Sequence, residues 1–264
     1  MHRELQVQGA RLRYRDEGSG RAIVFVHGWT LDLDAWEPQL PLAAELRMVR
    51  YDRRGFGLSS GDPSLALDVT DLATLLSVLG VASPVLVGMS QGARVVLEFA
   101  ARHPSCVCGL VLDGAPPPPG DAIPDDLSLD SLRLVAEHQG MEAFRRAWRL
   151  HPLTRLVTDD ARTHALLARI LARYPGRDLL APGALPGEAI DRRLLADVRV
   201  PVLVINGARD TESRRRAGIL LRDTLPSAEH VLIPNAAHLP NLDAPREYNQ
   251  LMSGFARRHL PAAA

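Results

Sequence analysis

Short apolar runs set between stretches of helical periodicity organise the first half of this chain. Residues 22–26, 84–87 and 107–112 are almost continuously apolar, and 48–52 is of similar length and strand-prone. Each is too short for a stable helix and suits a strand buried on both faces. Between them, residues 68–79 and 93–102 repeat apolar side chains at the spacing of a helix packed along one side. A hairpin around Val7 and residues 12–15 opens the chain. The alternation predicts an α/β fold: a mostly parallel sheet covered by helices on both faces.

The pattern stops at Pro116-Pro117-Pro118-Pro119-Gly120, because consecutive prolines fit neither a helix interior nor a central strand. From about residue 121 to 195 no strand pattern is visible. Residues 129–138, 141–150, 160–174 and 188–195 have helical spacing with acidic or serine starts instead. Strand character returns at 200–207 and 229–234, and 245–259 reads as an amphipathic helix. The predicted organisation is one core built from 1–115 and 198–264, interrupted by a helical insertion over 116–197.

Composition narrows the chemistry. With 264 residues the chain can bury one sizeable core. Its formal net charge of +0 gives no overall field for nucleic acid or an anionic membrane. All 31 basic residues are arginine, which excludes a pyridoxal Schiff base, a P-loop lysine and a lipoyl or biotinyl carrier site. Arg214-Arg215-Arg216 is expected to be a solvated helix start. Cys106 and Cys108, the only cysteines, lack the further ligands of a metal site and read as free, reduced thiols on one strand face. No apolar run approaches the ~18 residues that span a bilayer, and the amino terminus has no secretory h-region. The expectation is a cytoplasmic protein without metal or cofactor, a monomer or homodimer acting on a small molecule.

The strongest chemical signal is Gly88-Met89-Ser90-Gln91-Gly92, fed by the strand at 84–87 and followed by the helix at 93–102. A tight turn in that context strains Ser90 and presents its hydroxyl, while flanking glycines let helix and strand pack closely. The helix N-terminus points free N–H groups at the same spot, so the Gln91 N–H is a candidate oxyanion donor. Taken alone, the five residues also fit an ordinary strand-to-helix turn. Other strand ends add to them. His27-Gly28-Trp29 follows residues 22–26, and the Trp29 N–H is a second candidate donor. Asp210 follows the strand at 200–207, and His238 lies in the loop behind 229–234. Gly55, Gly57 and Gly61 superficially suggest a dinucleotide loop, but the third glycine comes one residue late and Pro63 delays the helix.

The order Ser90, Asp210, His238 resembles that of the α/β-hydrolases, where nucleophile, acid and histidine each follow a strand of one sheet. The resemblance covers almost the whole chain. It includes Asp52-Arg53-Arg54-Gly55-Phe56-Gly57-Leu58-Ser59, similar to a family loop after the fourth strand, and Trp36, nine positions past His27. It implies an eight-stranded sheet and a helical cap over the nucleophile. Asp52 becomes a loop anchor and His27 an organiser of the oxyanion loop. Some members carry the acid after the sixth strand, so Asp113 is the alternative to Asp210. Cap histidines 138, 151 and 164 are expected at the surface.

The implied activity is hydrolysis of a carboxylic ester or lactone of a small, largely apolar molecule through an acyl-enzyme on Ser90. A serine argues against the aspartate-dependent dehalogenases and epoxide hydrolases of the fold. C–C bond hydrolysis, cofactor-free perhydrolysis and a ligand-sensing receptor with an intact triad remain as alternatives. Candidate pocket residues are Asp32, Met89, Phe144 and Trp148, with core packing as the competing role for Phe144 and Trp148 and a solvated turn for Asp32.

Overall fold

A computed structural model describes residues 3–117, 123, 129–181 and 195–260. The strands are β1 (Arg3–Val7), β2 (Ala10–Glu17), β3 (Ala22–Val26), β4 (Arg47–Tyr51), β5 (Val85–Met89), β6 (Gly109–Asp113), β7 (Val202–Gly207) and β8 (Ala228–Ile233). They form one sheet in the order β1-β2-β4-β3-β5-β6-β7-β8. β2 pairs antiparallel with β1 and β4, and every later pairing is parallel. The helices are α1 (Leu65–Val78), α2 (Gln91–Arg102), α3 (Leu129–Leu150), α4 (Ala161–Arg173), α5 (Arg177–Leu180), α6 (Glu212–Thr224), α7 (Pro240–Asp243) and α8 (Pro245–His259).

The strands are apolar throughout because both faces are covered. Val24, Val26, Leu86, Leu110 and Val204 face Val69 and Leu72 of α1, Val96 and Phe99 of α2, and Leu221 of α6. Their neighbours Ile23, Phe25, Val87, Val111 and Ile205 face Trp36 and Met252 and Phe255 of α8. Alternation at period two thus divides one apolar run between two cores. Side chains cap the helix starts: Ser64, Asp160 and Thr211 each accept the N–H three residues on.

Most predicted elements fall within a few residues of their expected ends. The helices expected at 129–138 and 141–150 are α3, broken at Gly140, whose φ of 82° and ψ of 167° no helix accommodates. Leu33–Ala44 is a 3-10 run carrying Pro38 and Pro41, and with the short α5 it escaped a periodicity reading because neither has α-helical spacing. Cys106 ends a 3-10 turn, so the two cysteines do not share a strand; both are free thiols, and burial pushes Cys108 up to about 11. Pro118 to Gly120 and residues 188–194 of the expected last insertion helix lie outside the described residues.

Between β6 and β7, α3 packs on both α4 and α5, and α4 lies against the Leu33–Ala44 run. Among the described residues no helix is long and apolar enough to cross a membrane.

Candidate active site

β5 delivers Ser90 to the head of the sheet. Its φ of 51° and ψ of −114° lie in the left-handed half of conformational space, which costs a non-glycine residue on the order of 1–3 kcal/mol. The surroundings enforce that conformation. The Ser90 N–H donates to the Asp113 carbonyl at 2.7 Å, and the Ala93 N–H donates to the Ser90 carbonyl at 3.0 Å. Gly92 has no room for a side chain, since a Cβ there would collide with the carbonyl oxygens of Val26 and His27. α2 can therefore approach β3 and β5 closely enough to aim its N-terminus at the serine.

β3 ends in the second component. His27 is fully buried, and its Nε2 accepts the Arg53 N–H at 2.9 Å, so the proton sits on Nδ1 and is donated to the Gly28 carbonyl at 2.8 Å. Burial, reinforced by the charge of Arg53, holds its pKa well below the ordinary histidine range. A neutral, doubly engaged ring thus fixes the turn leading to Trp29, the role expected for His27. Arg53 also donates to Gln91 Oε1 at 2.8 Å and to Asp68 at 2.7 Å, tying the start of α2 to α1. Asp52 anchors its loop as expected, accepting from the Leu33 and Leu58 N–H groups and from Arg13 Nε.

β7 and β8 supply the remaining pair. Asp210 and His238 are both buried, with His238 Nδ1 at 3.1 and 3.2 Å from the two carboxylate oxygens. Burial alone would raise the Asp210 pKa, but the His238 charge and hydrogen bonds from His238, Asn206 and the Thr211 N–H outweigh it and hold the carboxyl below its ordinary value. The alternative acid, Asp113, sits in a fully buried position beside Tyr248, and burial followed by the charge of Asp210 pushes it well above the carboxylate range. Asp210, and not Asp113, holds the histidine.

Ser90, His238, Trp29, Gln91, Met89 and Trp148 line one cavity of about 550 Å³, counting the part open to solvent. Ser90 and His238 make no hydrogen bond with each other among the described residues, a spacing that catalytic pairs often close only around substrate. The cavity wall is mostly apolar but includes Arg94 and Arg214. Arg214 is 2 % exposed, so the expected solvated helix start is wrong at that position: α6 turns this residue inward.

Two expected pocket residues lie elsewhere. Asp32 is buried, accepts the Asp34 N–H at 2.9 Å and receives Arg173 Nε from α4 at 2.7 Å, so it is neither a solvated turn nor a cavity residue. Phe144 is fully buried and packs edge-on to Trp29 at 6.1 Å and stacks with Trp148 at 6.2 Å, behind the cavity wall. His138 is exposed, whereas His151 stacks on Trp148 at 4.6 Å. His164, also near the surface, engages the Thr158 carbonyl at 2.8 Å.

Other supporting residues gave no sequence signal. Asn206 Nδ2 donates to Asp210 at 3.2 Å while its Oδ1 engages His230 at 3.0 Å. Gly114, at a φ of 53°, leaves space that His238 occupies: a Cβ there would lie 2.8 Å from His238 Cε1. Asp243 accepts the N–H groups of Val157, Thr158 and Ala237, bridging the insertion to the histidine loop. Only the strand-end position of Gly114 is visible in sequence. Among the described residues no three His, Cys, Asp or Glu side chains converge as a metal site requires.

A strained serine between a central strand and a helix, facing a carboxylate-held histidine from the far end of the same sheet, defines a hydrolase of the α/β type. The chain belongs to the alpha/beta hydrolase family, whose profile matches residues 23–251. It is 29% identical over 257 residues to a pimeloyl-[acyl-carrier protein] methyl ester esterase of Pectobacterium atrosepticum, covering 94% of this chain and 99% of the relative. Its structure is similar to a thermophilic esterase from Thermogutta terrifontis, with a TM-score of 0.82, 25% identity and 98% of each chain covered. It is also similar to the enol-lactonase from Burkholderia xenovorans LB400, with a TM-score of 0.81, 25% identity, and 97% of this chain and 100% of the other covered. Family, fold and relatives make the chain a carboxylic ester hydrolase.

Proposed function

We propose that the chain hydrolyses an ester or lactone of a small, mainly apolar molecule through an acyl-enzyme on Ser90, beneath a cap formed by the insertion. His238 takes the Ser90 proton as the oxygen attacks the carbonyl carbon. The backbone N–H groups of Trp29 and Gln91 hold the oxyanion. His238 then gives the proton to the departing alcohol, and water, deprotonated by the same imidazole, releases the acid and restores the serine. Asp210 orients the imidazole and stabilises its charged form.

The observation that carries this reading is the buried Asp210–His238 hydrogen bond at 3.1 Å facing the same cavity as a positive-φ Ser90. Trp29, Leu31, Met89, Leu153 and Leu239 give that cavity its apolar wall. The activities of the relatives, a methyl ester esterase and an enol-lactonase, support the bond class.

The experiment is intact-mass and peptide mapping after treatment with a small fluorophosphonate, on wild type, Ser90→Ala and His238→Ala. Stoichiometric labelling at Ser90, absent from both variants, is expected. It would be followed by an ester and lactone panel that includes carboxylate-bearing members, because Arg94 and Arg214 are in the wall. A folded wild type that does not label refutes the reading. Labelling without turnover of any ester or lactone would favour a C–C hydrolase, a perhydrolase or a ligand sensor instead.

A further inference from the structure

The loop that presents Trp29 is held from the insertion side as well as from the core. Trp29 Nε1 donates to Asp178 Oδ2 at 2.6 Å, and Tyr174 OH donates to Asp178 Oδ1 at 2.6 Å. Asp178 belongs to α5 and is only 7 % exposed. Its two oxygens thus each bind one aromatic donor in a water-poor site, where a charged acceptor makes short, directional bonds. The next residue is tied in parallel. Thr30, at a φ of 63°, accepts Trp148 Nε1 from α3 at 2.7 Å. Two residues further, Arg173 of α4 bonds Asp32 and Asp34 at 2.7 Å each. The Trp29 indole is meanwhile boxed edge-on by Trp148 at 4.9 Å and Tyr174 at 5.7 Å.

From this geometry we infer that Asp178 is a positioning residue for the oxyanion hole. It acts through Trp29: by holding the indole in place it restrains the position of the Trp29 Cα, and so limits how far the Gly28–Trp29 peptide, whose N–H is the proposed oxyanion donor, can shift. The insertion is then part of the catalytic scaffold as well as a cover for the pocket. A displacement that lifts α5 away also releases the anchor of the donor, so cap position and transition-state stabilisation are linked. The inference rests on the assignment of the Trp29 N–H proposed above.

The test compares full-length wild type, Asp178→Asn and Asp178→Ala in three measurements. These are kcat and KM for p-nitrophenyl acetate, the affinity for a small alkylboronic acid that becomes tetrahedral on Ser90, and inhibition by acetate, a ground-state product. Losing an oxyanion donor outright costs about 100-fold or more in kcat, and a mispositioned donor costs part of that. The expected result is roughly a 10- to 100-fold fall in kcat for Asp178→Ala, a smaller fall for the near-isosteric Asp178→Asn, and KM within about 3-fold, the pattern of an interaction made in the transition state. Boronate affinity should fall in step with kcat while acetate inhibition stays constant. A raised KM with unchanged kcat and boronate affinity would show that Asp178 merely shapes the pocket, and would overturn the inference. If Asp178→Ala does not fold by circular dichroism, Asp178→Asn decides: a lower melting temperature with wild-type kcat overturns it equally. A wild type that neither labels nor turns over ester overturns the functional reading and this inference together, whereas active wild type and equally active variants overturn this inference alone.

Discussion

Replacing Asp210 by asparagine changes one atom and should remove nearly all turnover. In the native site Oδ1 accepts the Thr211 N–H at 2.8 Å, Oδ2 accepts Asn206 Nδ2 at 3.2 Å, and both oxygens face His238 Nδ1. Every group around the carboxylate is therefore a donor. An asparagine can aim its carbonyl oxygen at only part of that set, and its NH2 must then confront another N–H. The least costly relief is for His238 to move its proton to Nε2 and accept the amide on Nδ1. Nε2 is then protonated and cannot take the Ser90 proton. The corresponding change in a serine protease triad lowers kcat by ~10⁴, equivalent to about 5–6 kcal/mol of barrier. A similar loss is expected here with p-nitrophenyl acetate, with KM little changed and circular dichroism native. Asp113→Asn is the control. That carboxyl is fully buried and pushed toward its neutral form, so an amide of the same shape should leave kcat within about 3-fold, given that volume-matched swaps are tolerated best. Retention of more than a tenth of kcat in Asp210→Asn, together with its collapse in Asp113→Asn, would refute the assignment of the acid.

Further outcomes are expected. Gly114→Ala places a methyl group 2.8 Å from His238 Cε1 at a φ of 53°, so kcat should fall about 10-fold or more, with a loss of roughly 1–3 kcal/mol in urea unfolding; wild-type kcat would contradict the packing argument. Asp243→Ala leaves the Val157, Thr158 and Ala237 N–H groups without their acceptor; because these bonds are part-buried and water can replace the carboxylate in part, a total loss of about 1–3 kcal/mol is expected, a drop of several degrees in melting temperature. Burial, aided by the charge of Asp52 and opposed by Arg173, pushes the Asp32 pKa up to about 7. The folded chain then retains a proton that the unfolded chain has released above about 4, so this carboxyl costs stability progressively as pH rises from about 4 to 7. Asp32→Asn should therefore match wild type near pH 4 in urea titrations and exceed it at pH 8; a gap that does not change with pH would sink the argument.

Much of the site was legible because its parts are local. The strand–serine–helix pattern, the turn after β3 and the loops after β7 and β8 are each set by a few consecutive residues, and the sheet orders their ends. Arg214 was misread because a charge in the first turn of a helix is normally solvated, and nothing in Arg214-Arg215-Arg216 says which of the three α6 turns inward. Asp32 was misread for a different reason: its partner Arg173 is 141 positions away, on an element whose helical period is plain but whose orientation is not. Phe144 and Trp148, four residues apart on α3, looked equivalent, yet only Trp148 reaches the cavity.

By itself the sequence determined the family, the layered α/β architecture, the serine elbow and the order in which the candidate acid and base follow it. Periodicity and turn chemistry are properties of neighbouring residues, and buried strands announce themselves wherever they pair. The tertiary structure alone decided which carboxylate faces His238, which charges are buried, and how Asp178 reaches Trp29 across 149 positions. Those choices depend on how strand-end loops and helices distant in sequence come together, and helical spacing fixes which face of a helix is apolar without fixing what that face meets.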